Sequence, residues 1–291
     1  MTIKNNHIKG LVYAATGALV LSPDGLLVRL AGSDEWVIVF WRGLFVAGGL
    51  FIVQMIEHKA EFLKKFPPQN LKQWGAVIAT TFSSLTFVLA IKHTTVANTL
   101  IILSTMSLFA ALFSMIFLKE RIALRTGLAM FACVVGIGIV FMDGLSSGGM
   151  LGNVIALLCA FFNAANLTII RSERTINVPS MLSCGALMAA LIALMFASSV
   201  SIDGRATLIL LAMGTMGAGG FVLVGTGAKY IPSPEVTLLL LLETIVGPIW
   251  VWMILQEIPS INALIGGAIV ISALGLHALA GMRALKKLAA L

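Results

Sequence analysis

Ten apolar runs, each close to the length that crosses a bilayer as a helix, follow one another along this chain. They fall at about 9–31, 35–56, 73–91, 95–118, 123–142, 149–170, 179–200, 206–228, 234–255 and 262–282. A spanning helix needs roughly 20 apolar residues, because the hydrocarbon core is about 30 Å thick and each helical residue rises about 1.5 Å. No run alternates with the period of an outer-membrane barrel strand. Polar or helix-breaking residues separate the runs, among them Glu57-His58-Lys59, Pro67-Pro68, Lys119-Glu120-Arg121, Ser146-Ser147-Gly148-Gly149, Arg171-Ser172-Glu173-Arg174 and Pro232-Ser233-Pro234. Of 291 residues, 59% are hydrophobic and 11% charged, against about 25% charged in a soluble domain. That composition excludes a soluble enzyme, a disordered chain and a nucleic-acid-binding domain. The expected class is an all-α integral membrane protein of ten transmembrane helices in the lipid bilayer.

The +7 net charge needs no nucleic-acid partner, because cytoplasmic loops collect Lys and Arg. With the N-terminus in the cytoplasm, that side holds Lys4, Lys9, Lys59, Lys64, Lys65, Lys72, Lys119, Arg121, Arg125, Arg171, Arg174, Lys229, Arg283, Lys286 and Lys287. The outer side holds Arg29, Lys92 and Arg205, and Arg42 lies within the second run. Fifteen against three is a strong bias toward that orientation and also checks the span count, since a missed helix would scramble the alternation. Both termini are expected in the cytoplasm. Lys4 and Lys9 precede an apolar run from Gly10 to Leu30 with no small-residue cleavage site, so the first span is read as uncleaved.

Several chemistries are unsupported. Gly225-Thr226-Gly227-Ala228-Lys229 lacks the spacing of a phosphate loop, which argues against ATP-driven transport by this chain. Cys133, Cys159 and Cys184 all sit inside apolar runs, where cysteine is a small apolar filler rather than part of a disulfide framework. Only His277 of the four histidines lies within a span, so no metal cluster and no cofactor site is expected. No nucleophile with its base stands out, and the chain is read as a non-enzyme.

A shift of 137 residues brings the fourth and ninth runs into register: Lys92 falls on Lys229, Leu103 on Leu240, Leu118 on Leu255 and Glu120 on Glu257. Those are four identities in thirty aligned positions, reinforced by equal lengths and a shared terminal Glu. The same shift places Gly138 on Gly275 in the fifth and tenth runs. Residues 1–145 and 146–291 then each hold five spans. An odd number puts the halves upside down relative to each other, the architecture that supports alternating access.

Phe40-Trp41-Arg42 opening the second span, Leu118-Lys119-Glu120-Arg121 closing the fourth, and Leu242-Glu243-Thr244 through Gln256-Glu257 in the ninth resemble the drug/metabolite transporter superfamily, in its EamA-like branch. The resemblance covers essentially the whole chain. It implies export or exchange of a small metabolite, amino acid or drug-like compound across a bacterial inner membrane, through a central cavity lined by both halves. Family members often carry proline midway along the fourth and ninth helices; here Met106 and Thr244 stand at those places, with Pro248 one turn later.

A charge near the bilayer centre costs about 2.5 kcal/mol or more, so each one calls for a reason. Asp24 and Arg42 lie at similar depth on consecutive spans, roughly 10 Å below the outer surface, and are expected to pair, either as a structural lock or as part of a substrate or gating device. Arg29 competes for Asp24 unless it snorkels outward. Glu243 sits about nine residues into the ninth span, near the midplane, with no basic residue evident at its depth. It is the leading candidate to carry a proton or a cation in competition, against the alternative of a structural hydrogen bond. Pro23 and Pro248 are expected to open their helices locally.

Asn98, Ser104, Thr105 and Ser107 in the fourth span, and Asn163 and Asn166 on one face of the sixth, are candidate cavity groups or interhelical hydrogen-bond partners. Trp41, Trp250 and Trp252 are vestibule or lipid-facing candidates, while Trp36 and Trp74 at span ends are expected as interfacial anchors. The glycines of the eighth span, Gly214, Gly217, Gly219, Gly220, Gly225 and Gly227, point to close packing or sliding.

The leading function is a secondary transporter of a small-molecule substrate, with protons as a possible coupling ion and a monomer or homodimer as the unit. The alternatives are a passive channel or facilitator and a membrane-embedded non-transport protein.

Overall fold

The structure, a computed structural model, describes residues 3–58, 68–119, 124–172, 177–231 and 233–289. These form helices α1 (Ile3–Leu21), α2 (Asp24–Leu30), α3 (Glu35–His58), α4 (Leu71–His93), α5 (Val96–Ser104), α6 (Met106–Leu118), α7 (Leu124–Ser147), α8 (Met150–Ser172), α9 (Val178–Phe196), α10 (Gly204–Gly227), α11 (Ser233–Leu255) and α12 (Ile261–Ala289). Among the described residues there is no strand. Among the described residues nine apolar helical segments are long enough to cross a membrane, and Thr126–Met142 is a shorter apolar helix. The chain is a multi-pass membrane protein.

Helix starts follow local chemistry. The side chains of Asn70, Thr95, Asn177 and Asp203 accept hydrogen bonds from the backbone N–H groups of Gln73, Asn98, Ser180 and Ala206. Each satisfies a donor that the first helical turn leaves without an intrahelical partner. The ends of α6 and α11 are terminated alike. Lys119 (φ 55°) and Gln256 (φ 56°) are the two non-glycine residues with left-handed backbone among those described. They stand 137 positions apart, so the repeat in sequence is also a repeat in backbone conformation. Glu120, which follows Lys119, lies outside the described residues, as do the loop charges at 59, 64, 65, 121 and 174.

Two spans are broken, and only one break was expected. Pro23 separates α1 from α2, as a residue without an N–H should. The span at 95–118, which lacks proline, also breaks, at Thr105. There Ser104 Oγ donates to the Ile101 carbonyl at 2.7 Å and Thr105 Oγ1 to the Ile102 carbonyl at 2.6 Å. Hydroxyls that capture carbonyls of the preceding turn compete with the helical ladder and bend the helix. By contrast α11 continues through Pro248, against the expectation of a local opening.

The principal packing pairs are α4 with α8, α3 with α9, α7 with α12, α1 with α10, α3 with α10, α4 with α9, α6 with α8 and α1 with α11. Count the spans in order, taking α1/α2 and α5/α6 as one each, and advance each by five. The α4–α8 pair then becomes α10–α1, α3–α10 becomes α9–α4, and α6–α8 becomes α11–α1. The pairs α3–α9 and α7–α12 map onto themselves. The glycines of α10 serve close approach: a Cβ on Gly227 would lie 2.9 Å from the Gly10 carbonyl oxygen, and one on Gly220 would lie 2.5 Å from Leu21. Gly219 and Gly225 face open space instead. Cys133 and Cys159 are buried and free, packed within the apolar core.

Candidate functional site

The breaks in the first and fourth spans bring polar groups to one level of the bundle. Asp24 opens α2 immediately after the break, and Arg42 lies two turns into α3. Arg42 Nη2 donates to Asp24 Oδ2 at 2.7 Å and its Nε reaches Oδ1 at 3.5 Å, so the expected pair is present in a fork geometry. The remaining terminal nitrogen, Nη1, donates to Ser84 Oγ of α4 at 3.1 Å, and the guanidinium lies 5.3 Å from the Phe87 ring centre. Arg42 is 9% exposed. Three of its five N–H groups are engaged in this way. One position along α4, Ser83 Oγ accepts from Asn163 Nδ2 of α8, which also donates to the Cys159 carbonyl at 3.0 Å. A polar layer thus joins α2, α3, α4 and α8.

Arg29 does not compete for Asp24. Its Nη2 donates to the Thr94 carbonyl at 2.7 Å, and its Nε stands 3.7 Å from Glu257 Oε2. Glu257 Oε1 accepts from the Val96 N–H at 3.4 Å, at the start of α5. On the same end of the bundle, His93 Nε2 lies 3.6 Å from Glu35 Oε1. The ends of α2, α4 and α11 and the starts of α3 and α5 are therefore linked by polar contacts. At the opposite end Gln54 of α3 is fully buried and accepts from Ser180 Oγ and from Asn177 Nδ2 of α9.

Between α5/α6 and α11 lies a cleft of ≈ 50 Å³ lined by Leu100, Leu103, Ser104, Met106, Ser107, Leu240, Leu241, Glu243 and Thr244. Eight of these nine residues form four pairs related by the 137-residue shift: Leu103 with Leu240, Ser104 with Leu241, Met106 with Glu243, and Ser107 with Thr244. The cleft therefore sits where the two copies of one sequence segment face each other. That volume exceeds the roughly 10–15 Å³ that one water needs and leaves no room for a metabolite.

Glu243 is the one ionisable residue in that lining. The charges of Asp24 and Arg42 both act on it. Asp24 and α11 are linked through Trp250, whose Nε1 donates to Ser22 Oγ at 3.0 Å beside the first break. Trp250 is thus a tie between helices, and it remains 38% exposed.

Of the other sequence candidates, Ser104 and Ser107 line the cleft. Thr105 is buried at the break itself. Asn98 lies in the first turn of α5, where its backbone N–H is held by Thr95 Oγ1 at 3.1 Å. Asn163 belongs to the Ser83 layer. Asn166 is 9% exposed, and its Oδ1 is buried with no hydrogen-bond partner. None of the three asparagines lines the cleft. Trp41 donates to the Val200 carbonyl at 2.9 Å, Trp36 stacks on Phe196, and Trp74 and Trp252 are exposed. Among the described residues no group of His, Cys, Asp and Glu is arranged to hold a metal ion. Sequence reasoning missed Ser83 and Ser84; the adjacent serines in the middle of an apolar run were the available signal.

No curated protein matches the chain. Chains of solved structures do match. One, described only as the crystal structure of a protein, is similar with a TM-score of 0.65 at 17% identity, over 93% of this chain and 98% of that one. Residues 8–142 and 150–278 each match one family profile, so two copies of the profile account for nearly the whole chain. The break between them, at 143–149, covers the last residues of α7 and the two-residue link to α8. The chain belongs to the EamA-like transporter family.

Proposed function

We propose that this chain is a secondary transporter that moves a small molecule across a bacterial inner membrane by alternating access, with Glu243 as the coupling acid. The carrying observation is the cleft between the two related segments, in which Glu243 is the surplus charge. Asp24 and Arg42 neutralise each other at 2.7 Å. An ionised Glu243 therefore leaves the buried trio at one net negative charge, which is costly inside a membrane. The site is satisfied by one proton or by one cationic group. A transporter that must be neutral to reorient and holds one such acid exchanges one for the other.

Ten spans in two inverted five-helix halves, 1–145 and 146–291, suit this reading. The span-by-five packing pattern and the paired left-handed residues Lys119 and Gln256 support it, since each makes the halves equivalent. The fifteen-to-three distribution of Lys and Arg supports termini in the cytoplasm. The test of function is flux. Proteoliposomes with an imposed pH gradient should accumulate substrate against its own gradient; flux that only dissipates the substrate gradient would make the chain a facilitator.

Topology has its own test. In a cysteine-free background, a single cysteine at Ser146 should react with an impermeant thiol reagent on intact cells, and one at Ser172 should not. Equal reaction at both positions would overturn the ten-span arrangement.

The Arg29–Glu257 contact closes the end of the bundle assigned to the outside. Glu257→Gln removes its charge but keeps its shape. A pair 27% exposed at each side chain is worth about 1 kcal/mol, so the variant should shift the opening equilibrium about five-fold toward the outside. Reaction of a cysteine placed at Ala97 with an external reagent should rise accordingly, with thermal stability unchanged. Unchanged reactivity would mean that this contact is not part of the outer closure.

A further inference from the structure

We propose, resting on the reading of Glu243 as the coupling acid, that the substrate is a small organic cation with an apolar body. Its ammonium head sits against Glu243, and its body lies between α5/α6 and α11. The lining carries this assignment. Four of the nine residues are Leu, and Met106 adds a soft thioether, which together suit an apolar skeleton. The polar remainder consists of one carboxylate and three hydroxyls, those of Ser104, Ser107 and Thr244.

The hydroxyl protons of the two serines are already committed. Ser104 Oγ donates to the Ile101 carbonyl, and Ser107 Oγ donates to the Ser104 carbonyl at 3.4 Å. What these serines can offer a ligand is oxygen lone pairs. With the Thr244 hydroxyl as its one remaining donor, a lining dominated by acceptors with a carboxylate among them favours a donor-rich cation over a carboxylate or phosphate head.

An anionic substrate would need a positive group with donors to spare. Arg42 acts on Glu243 electrostatically, but three of its five N–H groups are held by Asp24 and Ser84, and Phe87 covers one face of the guanidinium. It balances Asp24 rather than serving the cleft. The lining runs from Leu100 to Ser107, roughly 10 Å along the helix, which matches a ligand of one ring and a short tail.

Protons compete at the same carboxylate, so cation affinity falls as pH falls. The charged groups facing Glu243 are Asp24 from α2 and Arg42 from α3. No residue of α1 or α12 lines the cleft; α1 carries the exposed Tyr13, and His277 of α12 lies about one turn from the level of Glu243.

The test is equilibrium binding of three isosteric probes to the purified full-length protein at pH 8: phenethylammonium, 2-phenylethanol and phenylacetate. Phenethylammonium should bind at least about tenfold tighter than either of the others, and should weaken as pH is lowered from 8 to 6. Glu243→Gln should abolish the preference, while Glu243→Asp should keep it at reduced affinity, which separates loss of charge from loss of fold. Equal binding of the alcohol, preference for phenylacetate, or an undiminished preference in the Gln variant would overturn the assignment. Failure of the coupling reading looks different. Tight phenethylammonium binding without proton exchange in proteoliposomes would leave the site standing and remove the transport role assigned to Glu243. A Glu243-dependent, pH-driven flux of a neutral solute would keep that role and overturn the cation.

Discussion

Glu243→Gln is expected to reduce pH-driven accumulation in proteoliposomes to the rate of protein-free vesicles, while the protein still folds and inserts. The amide has nearly the volume of the carboxyl group, and no protein hydrogen bond to the carboxylate is lost, so packing around the cleft survives. What disappears is the only titrating group in the lining. Without it the buried trio becomes a neutral Asp24–Arg42 pair beside a neutral amide, and reorientation no longer depends on the proton. Exchange of substrate for substrate survives where binding survives. An intact, well-folded Gln variant that concentrates substrate with unchanged pH dependence would remove Glu243 from the coupling step. The stability readout matters because a hydrogen-bonding structural acid would give the opposite pattern, with reduced thermal stability and unchanged pH response.

Much of the architecture was legible because the bilayer imposes a length and a charge rule on every span. The ten runs read from apolarity match nine long helices and one short one to within a few residues at most boundaries. The break at Pro23 was legible for the same local reason, the missing N–H. The break at Thr105 was not, because the Ser104–Thr105 hydroxyls act only through their rotamers, and proline was the signal being sought. Long-range relations were least visible. Asp24 with Arg42 could be paired by depth, since consecutive spans run antiparallel. The approach of Glu243 to that pair depends on α11 packing beside α1 and α2, which apolarity alone does not order. Glu257 reaches Arg29 across 228 positions of sequence and the Val96 N–H across 161 for the same reason. The 137-residue shift carried more than four identities suggested. It also relates the two left-handed helix ends and most of the cleft lining, because a repeat under packing constraint retains backbone geometry after its side chains diverge.

Arg42→Ala is expected to be the most destabilising single change in the polar layer, and more damaging than the double change Asp24→Asn/Arg42→Ala. Removing the arginine deletes both hydrogen bonds to Asp24, the bond to Ser84 and the cover over Phe87. It leaves a carboxylate, 12% exposed at its side chain, with no cation beside it. Glu243 then faces an uncompensated second acid rather than a neutral pair. Breaking a buried pair from one side costs about 3–5 kcal/mol, whereas replacing both partners with neutral groups costs far less, because no charge is stranded. The order of thermal midpoints in detergent should therefore be wild type, then the double variant, then Arg42→Ala. Asp24→Asn should also fall below the double variant, since it strands the guanidinium in turn. Strictly additive losses across this cycle would show that the two side chains do not stabilise each other. A rescued double variant that folds but has lost transport would give the pair a role in the transport cycle. If the double variant transports normally, Asp24 and Arg42 lock α2 to α3, and Glu243 carries the coupling without them.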